Sequence, residues 1–132
     1  MEHHFNTEFA TKYGLIEAIL FNHFEFWIEQ NRANERNYHD GTYWTYNSIK
    51  SYAEIFPYLT QGKIKNALKH LETEGILQTG VYNENAYDRT LWYAFTKKGE
   101  SICKNQLMDL QKLTNLYHII THIITHLITQ II

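Results

Sequence analysis

After Gly99 the chain has neither glycine nor proline. Seven apolar residues recur there at alternating spacings of three and four: Leu110, Leu113, Tyr117, Ile120, Ile124, Leu127 and Ile131. That spacing puts them at the a and d positions of three heptads, the pattern of a helix that buries one stripe against another helix. Leu116 and Ile123 widen the stripe at g, and Ile128 widens it at e. Beyond Gly99, the pattern predicts one helix of about 33 residues, roughly 50 Å long. So much apolar surface needs cover. The most economical cover is a second copy of the chain, so residues 99–132 are expected to form a dimerisation helix. The outward side of the first helix is the other option.

The same stretch carries His118, His122 and His126, four residues apart. On a helix, neighbouring members of such a series come within joint reach of a metal ion. In the heptad register they fall at b, f and c, the solvated face, and no carboxylate lies among them. A third ligand would have to come from another chain or from His3 and His4. The expectation is a polar face with no metal site. Leu113 to Ile132 carries no formal charge, but three His, four Thr, one Asn and one Gln interrupt it. That is unlike a membrane span. Isoleucine and threonine are only modest helix formers, so strands stay open as an alternative.

Upstream, 15–30 ("LIEAILFNHFEFWIEQ") reads as a first helix with two apolar faces. Leu15, Ala18, Ile19, Phe26 and Trp27 supply one set, and Ile16, Leu20, Phe24 and Ile28 the other. One face suits the core, and the other calls for another helix or subunit. Residues 31–41 read as a polar loop closing on the turn signal Asp40–Gly41, and 42–45 as a short strand. Asn47 or Ser48 caps a second helix that stops at Pro57. Thr60 caps a third, with Ile64, Ala67, Leu68 and Leu71 inward and Gly75 ending it. Strands follow at 76–82 and 90–96, joined by a turn-rich 83–89. The expected fold is α+β, mainly α. Residues 1–98 form a winged helix-turn-helix with "PYL" as turn and 83–89 as wing, and a long C-terminal helix follows.

The chain is slightly acidic, at −2 with neutral histidines, so any nucleic-acid contact must come from a local patch. Residues 60–71 contain three lysines and no acid. On a wheel, Gly62, Asn66 and Lys69 oppose the apolar stripe, with Lys63, Lys65 and His70 on its shoulders. Such a helix fits the major groove, its lysines reaching phosphates and Gln61 and Asn66 reaching base edges. Gly62 near the helix start lets the backbone approach closely, although glycine costs a helix about 1 kcal/mol relative to alanine. The predicted DNA-binding residues are Thr60, Gln61, Lys63, Lys65, Asn66 and Lys69, with Lys50 and Arg89 adding phosphate contacts. The wing, carrying Glu84 and Asp88, contributes weakly. Against this stands the plainer view that surface helices carry lysines only to meet water.

The segment "DGTYWTYNSIKSYAEIFPYLTQGKIKNALKHLETEGIL" with the later "YDRTLWYAFT" resembles the winged-helix domain of phage and prophage replication-initiation proteins, over about residues 15–96. The resemblance implies binding to double-stranded DNA during replication, or in a related regulatory role. By position, Thr60 to His70 match that family's recognition helix. Trp44, Tyr46, Asp88, Arg89 and Trp92 match its motif residues in architectural roles. Where that family carries a long second region that loads a helicase, this chain has its Ile/Thr/His tail. A transcriptional regulator of the same fold, or a winged-helix protein-interaction module, are the alternatives.

Catalysis is not expected. There is no glycine-rich phosphate loop, no metalloprotease His-Glu pair and no nucleophile elbow. Cys103, the one cysteine, allows no internal disulfide and fits a reducing cytoplasm. It reads as a buried small apolar residue. The N-terminus lacks a basic region followed by an apolar run, so no signal peptide is expected. No cofactor is expected either.

Overall fold

The computed structural model describes all residues, Met1–Ile132, and divides into two compact units, Met1–Gly99 and Glu100–Ile132. The secondary structure is α+β and mainly helical. Its order is α1 (Thr7–Tyr13), α2 (Leu15–Ala33), β1 (Tyr38–His39), β2 (Thr42–Tyr43), β3 (Thr45–Tyr46), α3 (Ile49–Ile55), α4 (Gln61–Thr73), β4 (Leu77–Gly80), β5 (Trp92–Phe95) and α5 (Lys97–Ile131).

Helix α1 was not expected from the sequence. It is short, and only Phe9 and Tyr13 mark its buried face. Asn6 caps it, accepting a hydrogen bond from the Phe9 N–H at 2.9 Å. Phe9 stacks on Phe21 of α2 at 4.4 Å between centroids. Tertiary packing sustains this helix, since a single pair of turns is marginal in isolation.

Helix α2 sorts the two apolar sets differently from the sequence expectation. Ala18, Ile19, Leu20, Phe21, Phe24 and Ile28 are buried, while Leu15, Phe26 and Trp27 are exposed. The core face ends on a polar residue. Asn31, 5% exposed, donates through Nδ2 to the Trp44 carbonyl at 2.8 Å, which satisfies both groups inside.

The expected loop at 31–41 contains a strand. Asp40 and Gly41 both have positive φ, 51° and 80°, and join β1 to β2 as a two-residue hairpin with Tyr38 opposite Tyr43. Asp-Gly is the sequence such a turn favours, because its backbone twist matches the strands. The expected strand 42–45 also breaks at Trp44, whose N–H donates to Asn37 O and whose Nε1 donates to His39 O. The pieces on either side join different sheets.

The larger sheet has the order β3-β5-β4, antiparallel throughout. All four residues of β5 are buried, because both faces of this central strand are covered. Tyr93 and Phe95 meet Phe24 and Phe21 of α2. Trp92 and Ala94 point the other way into a cluster with Trp44, against which Tyr82 packs. The expected strands at 76–82 and 90–96 are shorter than the pattern suggested, leaving residues 81–91 as the connection.

Local signals at the helix ends match the sequence expectation. Ser48 rather than Asn47 caps α3, accepting from the Ser51 N–H at 3.1 Å. Thr60 caps α4, accepting from the Lys63 N–H at 3.2 Å. Gly75, at φ 73°, closes α4: its N–H reaches Glu72 O, and the Ile76 N–H reaches Leu71 O. This paired pattern needs a left-handed residue, which glycine adopts without a Cβ penalty.

Helix α5 runs for 35 residues, so the strand alternative for the tail does not hold. Its threonines are accommodated by back-bonding: Thr114, Thr125 and Thr129 hydroxyls donate to the carbonyl four residues earlier. Every residue from Leu107 to Ile132 is exposed in the single chain. Cys103 is half-buried rather than buried. No helix is long and apolar enough to cross a membrane.

Candidate nucleic-acid interface

The inward face of α4 is closed by Ile64, Ala67, Leu68 and Leu71, each at most 4% exposed. Its remaining positions therefore form one outward face, where Thr60, Gln61, Lys63, Lys65, Asn66 and Lys69 are all exposed. None of the three lysines has a carboxylate within ion-pairing distance. The acidic residues of this segment, Glu72 and Glu74, lie at its far end. The N-terminal two turns thus combine free ammonium groups with the positive end of the helix dipole, an electrostatic setting that favours an anion.

His70, on the expected shoulder, is engaged elsewhere. Its Nδ1 lies 3.3 Å from Glu17 Oε2 of α2, and its Nε2 lies 3.5 Å from Glu74 Oε1. It ties α4 to α2 and leaves the lysine face. Gly62 has nothing within 4 Å of where a Cβ would sit. Packing inside the chain therefore does not require this glycine.

Lys50 is exposed in the first turn of α3, and Arg89 is exposed in the β4–β5 connection. Both lie off the α4 face, and neither has a carboxylate partner. The connection is ordered by its own polar groups. Asn83 donates through Nδ2 to Asp88 O and Thr90 O, at 2.9 and 3.0 Å, and accepts from Trp92 Nε1 at 2.7 Å. Asp88 accepts from the Thr90 N–H at 3.0 Å, and that backbone bond, with the Thr90 side chain, holds its carboxyl below the usual range. The segment therefore carries fixed negative charge, as its composition suggested.

Of the motif residues, Trp44 and Trp92 lie in the core and Tyr46 lies at its exposed edge. The two tryptophans are 3% and 6% exposed, and Tyr46 stacks on Trp92 at 4.3 Å. Tyr82 stacks on His39 at 4.3 Å and 7°, and its hydroxyl donates to Asp40. That carboxylate pushes the Tyr82 hydroxyl up.

A concave feature that the sequence did not predict lies elsewhere in residues 1–99. A groove of about 660 Å³ opens between residues 1–4, α2 and α3, with Ile19, Phe26, Trp27, Ile55 and Phe56 as its apolar walls. His3 spans it, its Nδ1 2.7 Å from the Tyr58 hydroxyl and its ring 4.7 Å from Phe56. Burial, with His3 adding to it, lowers the His23 imidazole to about 4. His23 Nε2 is buried and meets no hydrogen-bond partner. The only signal for this groove was the aromatic excess of "FNHFEFW", which a helical pattern alone does not assign to a pocket.

The expected dimer positions Leu110, Leu113, Tyr117, Ile120, Ile124, Leu127 and Ile131 all lie on α5, each 48% to 84% exposed. The tail histidines are exposed on the same helix. No protein-family model, curated protein or solved structure matches this chain.

Proposed function

We propose that residues 1–98 are a winged helix-turn-helix that binds double-stranded DNA, as in the phage replication-initiation proteins whose motifs the chain resembles. Helix α4 enters the major groove. The observation that carries this reading is the outward face of α4, three unpaired lysines with Gln61 and Asn66 and no acid among them. The element order α2, β3, α3, α4, β4, β5, with β3 pairing on the far side of the β4–β5 hairpin, supports the winged fold.

Lys63, Lys65 and Lys69 contact phosphates, while Gln61 and Asn66 reach base edges. Lys50 and Arg89 add phosphate contacts, and Thr60 lies at the cap of α4. Three to five phosphate contacts give modest affinity that falls steeply with salt, so two copies act together. The a/d stripe of α5 joins them, and paired recognition helices then reach major grooves about 34 Å apart. The single cysteine suits a cytoplasmic setting. Binding at origin repeats marks a replication role, and binding beside its own gene marks a transcriptional one. Fluorescence anisotropy of a labelled random duplex, titrated at low and moderate salt, tests the DNA contact directly.

A second reading draws on the groove at Phe26 and Trp27. Exposed aromatics beside an apolar cleft suit a protein-docking module, and DNA binding is then absent at any salt concentration.

A further inference from the structure

The four-residue spacing of His118, His122 and His126 means different things on different backbones. On a strand, residues four apart stand about 13 Å from each other, too far for one ion to join. On a helix they stand one turn apart, with Cβ atoms about 6 Å from each other. Helix α5 continues through the whole series, so the second geometry applies. Metal–imidazole bonds of about 2.0–2.1 Å let two rings at that separation share one ion.

The surroundings leave these rings available. All three histidines are exposed. No hydrogen bond engages His118 or His122, and only the Gln130 amide approaches His126, at 3.5 Å. The Thr125 and Thr129 hydroxyls are turned to helix carbonyls. No third His, Cys, Asp or Glu joins to form a larger cluster, so the helix does not build a closed tetrahedral zinc centre. A two-nitrogen chelate with water in the remaining positions is what it presents.

We propose that His122, paired with either His118 or His126, chelates a divalent transition ion of the copper(II) or nickel(II) type on the exposed face of α5. Imidazole nitrogen suits these ions, and their tetragonal geometry accepts two adjacent protein ligands with water completing the plane. Hard cations such as magnesium and calcium prefer oxygen ligands and are not taken. The b, f and c positions lie away from the a/d stripe, so loading leaves the helix-pairing face untouched.

The three-histidine series makes the test specific, because His122 belongs to both pairs. Untagged full-length protein carrying His3→Gln and His4→Gln, to remove the other adjacent histidines, is titrated with Cu²⁺ by calorimetry. His122→Gln leaves two histidines about 12 Å apart along the axis, and affinity falls roughly tenfold or more as the chelate is lost. His118→Gln or His126→Gln alone each leaves one pair and loses only about twofold. The double variant that keeps His122 alone falls as far as His122→Gln does. Circular dichroism of each variant checks that the helix persists. Equal losses for the three single substitutions, or unchanged binding in His122→Gln, overturn the proposal.

Discussion

Leu71 and Ile120 are both aliphatic residues on a helix face with apolar neighbours at three- and four-residue spacing, yet Leu71 is 0% exposed and Ile120 is 48% exposed. The difference lies in what surrounds each helix. Within residues 1–99, α4 turns its stripe toward neighbouring helices and a sheet, and the uncovered face keeps the polar residues. Within residues 100–132 there is one helix, and its stripe has no second element to meet. The same periodicity therefore accompanies a core in one region and an exposed apolar stripe in the other. Period specifies which residues share a face, whereas burial depends on what the rest of the chain, or another chain, brings to it.

The largest expected effect lies in the tail. If a second copy covers the a/d stripe, Ile120→Asp with Ile124→Asp places charges in an apolar seam and abolishes assembly. Light scattering then reports 15.8 kDa for the variant and a multiple of that mass for the parent protein. A parent protein that is already monomeric breaks the comparison, since the stripe would then tolerate water.

Within residues 1–99 a core truncation should act on stability instead. Phe24 is 0% exposed and contacts Tyr52 and Tyr93, so Phe24→Ala should cost about 3–5 kcal/mol in urea unfolding. A loss below about 1 kcal/mol would mean that this core collapses around the gap, against close-packed behaviour.

His23 sharpens the comparison through pH. Its folded value of about 4 lies below the ordinary 6.5. The unfolded chain takes up this proton as pH falls through 6.5, while the folded chain resists it until about 4. Stability present at neutral pH is therefore lost across that window, by on the order of 3 kcal/mol. His23→Gln should flatten this part of the profile relative to the parent protein. Parallel profiles would show that the imidazole is not buried as described.

A smaller effect is expected at Asn83, whose side chain ties Trp92 to the β4–β5 connection. Asn83→Ala leaves the Trp92 Nε1 without its acceptor and should cost about 1–3 kcal/mol. Hydrogen exchange should rise mainly over 81–91.

Much of α4 was legible because its signals are local. Thr60 capping the Lys63 N–H, the stripe Ile64, Ala67, Leu68 and Leu71, and the left-handed Gly75 act within one helix and its two ends. Helix α1 and strand β1 were not legible, although the Asp40–Gly41 turn and the strand after it were. Phe9 stacking on Phe21 and Trp44 bonding to His39 O both join residues at least five positions apart through tertiary packing, and neither leaves a periodic trace. In α2 the periodicity identified two apolar sets but not which would be covered, because Phe26 and Trp27 look as apolar as Phe24. The groove leaves little trace in the sequence, because residues 1–4 have no pattern of their own and His3 meets Phe56 and Tyr58 only in the fold. For the proposed DNA-contact residues, the sequence predicted one outward face. Lys50 and Arg89 lie on other elements, where no spacing rule relates them to α4.

The most direct test of the central claim compares the parent protein with the Lys65→Glu and Lys69→Glu double variant, using a labelled random 30-mer duplex and fluorescence anisotropy at low and moderate salt. The account predicts binding by the parent protein that weakens steeply as salt rises, and loss of that binding in the variant. Equal affinity of the two proteins, or no binding by the parent protein at low salt, would contradict it.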